Sequence, residues 1–306
     1  MKNLFIVNPN AGMRQSKQHL PSILEIFSRH GEINNVHITS KRGEAVDFIA
    51  AHGEFYERII CMGGDGTLNE VITGILTNSL DLPIGYIPAG TANDVANSLD
   101  ISKNMVQAAK NILNGEAHPI DIGKFGERYF SYIASFGAFT KVSYNTPQSS
   151  KNMLGHLAYI IEGLKELPNI RPEYIKITAR DGGSLDTPNG EHIKNIEIEG
   201  EYIFGAVINS KSVGGGVLSI SANNADMSDG LFEVMIIKPL KNPVEVWECA
   251  YSLISQNYNP DFITFFKSDS VTVHAKPALK WSLDGEREDS GDVVIENLRH
   301  AIKIIM

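Results

Sequence analysis

The first hundred residues repeat one grammar: a short apolar run, a turn rich in Gly, Asn or Pro, then a helical pattern. Residues 4–7 lead into Asn8-Pro9-Asn10-Ala11-Gly12, followed by Leu20, Ile23, Leu24 and Phe27 on one helical face. Residues 35–39 precede a helix over 44–51. Residues 58–62 and the turn 63–66 precede a helix from Thr67, and residues 83–87 and the turn 88–93 precede one from Asp94. Few folds accommodate repeated βα units. Apolar parallel strands need cover on both faces, and right-handed crossovers place helices there, so the expected fold class is α/β with a doubly wound parallel sheet. Ligands of such sheets sit beyond the carboxyl ends of the strands, where these turns fall.

Beyond about Arg128 the pattern changes. Residues 129–135, 174–178, 193–198, 202–209, 231–237, 262–266, 271–275 and 279–283 read as strands with few helices between them, which predicts a second, mainly antiparallel β domain. Two helices interrupt it, over 151–167 and from Pro243 to about Ser255, and the Gly-, Asp- and Asn-rich tract 181–194 reads as an exposed loop. The expected domains are residues 1–127 and 128–289. A last strand-like piece, 301–305, has no partner that the sequence alone can assign.

With 306 residues, 42% apolar and 21% charged, the chain has enough apolar material for two cores and too much for a disordered tail. A net charge of −9 argues against a nucleic-acid partner and confines any membrane contact to a local surface. Cys61 and Cys249 sit in apolar stretches and read as buried thiols in a reducing cytoplasm. No apolar run approaches the roughly 20 residues of a membrane span, and the start lacks a signal-peptide core, so an unexported protein is expected.

Gly63-Gly64-Asp65-Gly66-Thr67 joins a strand to a helix, so backbone N–H groups and a helix N-terminus converge on one spot suited to phosphate. It is neither a Walker A loop nor a full dinucleotide fingerprint, since Asn69 stands where a third glycine is needed. A carboxylate in a phosphate cradle, Asp65, suits Mg²⁺ held between carboxylate and phosphate oxygens; it also suits plain stabilisation of the turn. Pro88-Ala89-Gly90-Thr91-Ala92-Asn93-Asp94 forms a second such turn, with Thr91, Asn93 and Asp94 as candidates for nucleotide contact or for ordinary capping. The turn Asn8–Gly12 offers a third set of donors. Asp284-Gly285-Glu286 ends a strand with two carboxylates, either a hairpin turn or the carrier of a general base. Asp226-Met227-Ser228-Asp229-Gly230-Leu231 suits a hard cation or a simple turn. Histidine spacing gives no zinc site, and no Gly-x-Ser-x-Gly elbow occurs. Met153, Leu154, Leu157, Ile160, Ile161 and Leu164 form a helical apolar stripe, read as core packing, an acyl-chain pocket or a bilayer contact.

In this order Val7-Asn8-Pro9-x-Ala11-Gly12, Gly63 to Val71, Pro88-x-Gly90-Thr91-x-Asn93-Asp94 and Asp284-Gly285-Glu286 resemble the diacylglycerol kinase catalytic-domain family. Leu154-Gly155-His156-Leu157-Ala158-Tyr159 and Gly163-x-Lys165-x-Leu167-Pro168 are similar to its bacterial soluble branch. The resemblance implies an N-terminal α/β nucleotide domain completed by the tail at about 290–306, a C-terminal β-sandwich acceptor domain, and an active site in the cleft. It implies ATP contacts at Asn8, Pro9, Asn10, Ala11, Gly12, Thr39, Gly63, Gly64, Asp65, Gly66, Thr67, Leu68, Asn69 and Thr91, with Asp65 beside Mg²⁺–ATP. It assigns Glu286 as proton acceptor and Asp226, Asp229 and Leu231 as holders of a structural Mg²⁺. The expected reaction is transfer of the γ-phosphate of ATP to a lipid hydroxyl, diacylglycerol first. Alternatives are monoacylglycerol, a ceramide or sphingoid, undecaprenol, a soluble acceptor such as NAD, or a non-catalytic nucleotide- or lipid-binding regulator. Transient membrane contact at the cytoplasmic face and a homodimer are further implications. Many members carry a Gly-rich segment where this chain has Ala134-Ser135-Phe136-Gly137-Ala138-Phe139, so the bulk of Phe136 and Phe139 is expected to bear on the acceptor pocket.

Overall fold

Runs that are apolar throughout become the inner strands of a parallel sheet. A computed structural model describes residues 1–137, 171–180, 195–213, 218–219 and 226–306. The chain divides into two units, Met1–Ile122 with Arg299–Met306, and Gly123–Leu298. The helix and loop expected at 151–167 and 181–194, and Phe139, lie outside the described residues.

In the first unit β1 (Lys2–Val7), β2 (Ile33–Ile38), β3 (Arg58–Gly63) and β4 (Ile84–Pro88) pair in parallel in the order β2-β1-β3-β4. β3 and β4 are buried at every residue, as strands covered on both faces must be, whereas β2 is mostly exposed. Helices α1 (Gln15–Arg29), α2 (Glu44–His52), α3 (Asp65–Thr77), α4 (Asp94–Ser98) and α5 (Met105–Asn114) follow the strands. Ile23 and Phe27 of α1 and Ala108, Ala109 and Ile112 of α5 share one core with Phe5, Ile60 and Ile87. α3 starts at Asp65, two residues before the sequence expectation, so the carboxylate occupies the first helical position. α5 was not anticipated; Asn104 starts it by accepting the Gln107 N–H at 3.0 Å. At the tail, Ile304 and Ile305 pair in parallel with Ile84 and Gly85 of β4, and Met306 exchanges two 3.1 Å backbone bonds with Glu116. Cys61 is a buried free thiol that burial pushes well above its usual range.

The chain enters the second unit within β5 (Ala117–Phe125) and leaves it within β16 (Glu286–Ile305). Between them lie β6 (Arg128–Phe130), β7 (Ile133–Gly137), β8 (Glu173–Arg180), β9 (Asn195–Tyr202), β10 (Phe204–Ile208), the short pair β11 (Ser212–Val213) and β12 (Leu218–Ser219), β13 (Phe232–Ile237), β14 (Ile263–Ser268) and β15 (Ser270–Leu283). Antiparallel pairing runs β14-β13-β10-β7-β15-β16, and β15 also pairs with β8, which pairs with β9. Residues 271–275 and 279–283, expected as two strands, are one. A register shift between His274 and Leu279 turns β15, so that its first half joins β8 and its second half joins β7. This is how one strand closes an antiparallel β-sandwich. Phe125, Phe130, Phe136, Phe232, Phe266 and Trp281 fill the interior. The ring of Phe136 meets Trp281 edge-on at 5.0 Å and lies where a side chain on residue 205 would stand, so Gly205 absorbs the bulk that the sequence placed at the acceptor pocket.

α6 (Pro243–Ser255) starts as expected, with the Asn242 side chain accepting the Val244 and Glu245 N–H groups at 3.0 Å. Its inner face, Cys249, Ala250 and Leu253, packs on Ile208, Met235 and Ile237. Burial pushes the Cys249 thiol up to about 12.

Buried charge ties the amino end of the parallel sheet. The Arg58 guanidinium at the start of β3 pairs with Glu32, donates to Asn3 Oδ1 at 3.0 Å and to the Ile112 carbonyl at 3.3 Å, and lies over the Phe27 ring. Removing one partner of such a pair strands the other without solvent. Arg58→Ala is expected to lower unfolding free energy by about 3–5 kcal/mol in a urea titration, and an unchanged midpoint would show that the pair contributes nothing net.

Candidate active site

Three turns meet at the carboxyl ends of β1, β3 and β4, and glycine makes the approach possible. The Cα of Gly90 lies 3.1 Å from where a Cβ on Gly64 would stand, so the backbones of the second and third turns touch. The Ala89 N–H bonds the Gly63 carbonyl at 2.7 Å, and the Asn8 N–H bonds the Met62 carbonyl at 3.0 Å. Gly12, at φ +49°, passes so close to the Ala89 carbonyl that a Cβ would stand 1.9 Å from that oxygen. The Asn8 side chain donates to the buried Thr67 hydroxyl at 3.1 Å and accepts the Asn10 N–H at 3.0 Å. Thr39, at the end of β2, is tied to the Val7 carbonyl through its N–H at 2.9 Å and its hydroxyl at 3.3 Å. Asn8 to Gly12, Thr39, Gly63 to Asn69 and the turn at Gly90 and Thr91 are thereby built into one end of the first sheet.

Within this group the side chains divide by role. Leu68 is fully buried and presents only backbone; its N–H closes the first helical bond to the Gly64 carbonyl at 3.0 Å. Asn93, at φ +51°, accepts the Gly90 N–H and donates to the Gly90 carbonyl, both at 2.9 Å, so it shapes the turn. Asp94 is buried at the head of α4. Gly66 and Thr91 are exposed, on the rim.

Asp65 reaches from α3 to the N-terminus of α4: Oδ2 accepts the Asp94 N–H at 3.1 Å and Oδ1 accepts the Val95 N–H at 3.3 Å. Burial raises its pKa, and these N–H bonds oppose the rise. A half-buried carboxylate beside a glycine-rich turn is a donor that suits Mg²⁺. Glu70, one turn further along α3, accepts the Gly43 and Ala45 N–H groups at 2.8 and 3.3 Å and anchors α2. No local pattern signals this contact, because Gly43 is 27 residues away.

In the second unit the Asp-Gly-Glu turn separates its two acids. Asp284, at φ +49°, accepts the N–H of Ser131 and, at 3.0 Å each, those of Tyr132 and Ile133. Those bonds break the strand expected at 129–135 into β6 and β7. Asp284 is a clamp, and Glu286 is the acid held on a side chain: its Oε2 accepts from Arg128 Nη2 at 2.8 Å.

Asp226, Asp229 and Leu231 form the turn before β13. Asp226 Oδ1 accepts from the Ser228 N–H and hydroxyl, and Asp229 Oδ1 accepts the Leu231 N–H at 2.9 Å. Lys267 Nζ lies 3.2 Å from Asp229 Oδ2 and 3.0 Å from Oε1 of the buried Glu233, an ion pair with Glu233 short of a directed hydrogen bond. Burial pushes Glu233 up to about 7 against the pull of that lysine. Lys267 competes with a divalent cation for Asp229 Oδ2, and a cation at this turn would draw on Asp229 and on the carbonyls of Asp226 and Leu231.

Residues 2–125 match the family model of the diacylglycerol kinase catalytic domain, and residues 133–306 match the YegS C-terminal NAD kinase beta sandwich-like domain. The chain is 33% identical over 305 residues to a diacylglycerol kinase of Bacillus subtilis, covering 99% of this chain and 95% of that one. It is 30% identical over 285 residues to one of Staphylococcus aureus, covering 92% and 85%. A crystal structure of a diacylglycerol kinase from Bacillus anthracis superposes with a TM-score of 0.72 at 21% identity, covering 99% of this chain and 96% of that one, a likeness of fold.

A Cβ at residue 90 would stand 2.6 Å from the Gly64 Cα and 2.7 Å from Asn93 Oδ1. Gly90→Ala must therefore part the two turns. Its ATP affinity, measured by calorimetry, is expected to fall by about tenfold, roughly 1.4 kcal/mol, with the far-ultraviolet spectrum unchanged; wild-type affinity would place the nucleotide elsewhere.

Proposed function

We propose, from the premise that the chain belongs to the diacylglycerol kinase family, that it transfers the γ-phosphate of ATP to the free hydroxyl of diacylglycerol, giving phosphatidic acid and ADP. The observation that carries the donor half is the contact of the Gly64 and Gly90 backbones, where neither residue has a side chain to fend off phosphate. Diacylglycerol as acceptor is supported by the names of the relatives.

The residues supply position and electrostatics, as phosphoryl transfer requires. The turns at Asn8–Gly12, Gly63–Thr67 and Gly90–Thr91 hold the phosphates. Asp65 would hold Mg²⁺, which offsets charge on the transferring group. Glu286 accepts the hydroxyl proton while the new O–P bond forms and the bond to the ADP oxygen breaks. Asp284 keeps the turn in place from below.

The test is transfer of labelled γ-phosphate into micellar diacylglycerol, monoacylglycerol, ceramide and undecaprenol, with NAD as a soluble acceptor. Label in diacylglycerol is expected. Glu286→Gln should lower kcat by about 10²–10⁴-fold with KM for ATP unchanged, and Asp65→Ala should lower it by about 10²-fold or more. Label in another lipid alone would change the acceptor; label in NAD alone, or none beside measurable ATP binding, would overturn the lipid-kinase reading.

The reaction needs the protein at the cytoplasmic face of a membrane, where ATP and a lipid hydroxyl meet. No helix among the described residues is long and apolar enough to cross one. Support for peripheral contact comes from α6, whose outward face carries Val244, Trp247, Tyr251 and Ile254, the tyrosine 72% exposed. Their spacing makes one stripe, and Trp and Tyr favour the headgroup level of a bilayer. Replacing Trp247 and Tyr251 by alanine should lower binding to sedimented phosphatidylcholine vesicles containing diacylglycerol by about tenfold or more. Unchanged binding, with loss of a dimer in size-exclusion chromatography, would assign the face to self-association.

A further inference from the structure

Glu286 and Glu288 are two residues apart in β16, so they project from the same face of the strand. Arg128 in β6 spans them: Nη2 donates to Glu286 Oε2 at 2.8 Å, and Nη1 donates to Glu288 Oε2 at 2.5 Å. The arginine and the two acids are 37%, 30% and 32% exposed, so the cluster is neither flooded nor sealed. An aromatic wall backs it. Phe125 is the cross-strand partner of Arg128, Trp281 is that of Glu288, and the two rings meet edge-on at 4.9 Å.

We propose that Arg128 is a positioning residue for Glu286 and that Glu288 steadies the arginine. The inference rests on the base role given to Glu286 above. A glutamate has three rotatable bonds, so its aim depends on what holds its carboxylate. A planar guanidinium held at both of its ends supplies that aim, whereas a lysine has one ammonium and cannot reproduce the fork. Misplacing a catalytic group by about 1 Å can cost about 10²-fold in rate, so the arginine acts on turnover while the nucleotide, held by other residues, is untouched.

The experiment is steady-state kinetics on diacylglycerol micelles for Arg128→Gln, Arg128→Lys, Glu288→Gln, Glu286→Gln and the double variant Arg128→Gln/Glu286→Gln, with thermal melting of each. Arg128→Gln is expected to lower kcat by about 10–100-fold with KM for ATP unchanged, Arg128→Lys to recover part of it, and Glu288→Gln to lose less than Arg128→Gln. The double variant should match Glu286→Gln, because an arginine that works through Glu286 has nothing left to position. Losses that multiply in the double variant, or an Arg128→Gln enzyme with wild-type kcat beside an inactive Glu286→Gln, would overturn the proposal. Full activity in Glu286→Gln would instead remove the base reading and the proposal with it. Should Arg128→Gln fail to fold, Arg128→Lys combined with Glu286→Gln makes the same comparison.

Discussion

The carboxyl end of the first sheet depends on two glycine backbones in contact. Because neither Gly64 nor Gly90 carries a Cβ, the turns after β3 and β4 lie against each other, and everything nearby follows from that distance. Asp65 can reach the first N–H groups of α4, Asn93 can close its own turn on Gly90, and the Ala89 N–H can bond Gly63. A methyl group on residue 90 would stand 2.6 Å from the Gly64 Cα and strain these bonds together. The same absence of side chains lets a phosphate approach the backbone.

Carboxylates bound to backbone N–H groups recur through both units, and counting their partners separates structure from chemistry. Glu70 fastens the start of α2, and Asp284 gathers three consecutive N–H groups of the segment joining β6 to β7. Such a carboxylate is held by several charge-assisted bonds. Glu286 is held by an arginine side chain, a partner that can aim it. Asp65 lies between these cases: it caps α4, yet burial raises its pKa, which marks it as a charge the fold holds at some cost.

Much of the fold was legible in local pattern. The inner strands of the parallel sheet and the helices after them were readable because an apolar run followed by a turn carries its meaning within a dozen residues. What escaped had causes at long range. The strand expected at 129–135 is broken by Asp284, more than 150 residues away in sequence. Residues 271–283 form one strand because β7 and β8 both need a partner, and α5 was missed because its apolar face is short. The outward aromatic face of α6 was invisible because sequence shows that Trp247 and Tyr251 share a side, not which side the core takes.

The sequence by itself determined the βα order of the first unit, the antiparallel character of the second, the two buried thiols and the glycine turns at the strand ends, since each depends on residue types within one short window. Only the tertiary structure decided which acid of Asp-Gly-Glu is clamped by backbone N–H groups and which pairs with Arg128, that Lys267 stands against Asp229 and Glu233, that Phe136 fills the core above Gly205, and that the tail pairs with β4. Those are facts about partners far apart in the chain, and a partner is chosen by the whole packed arrangement.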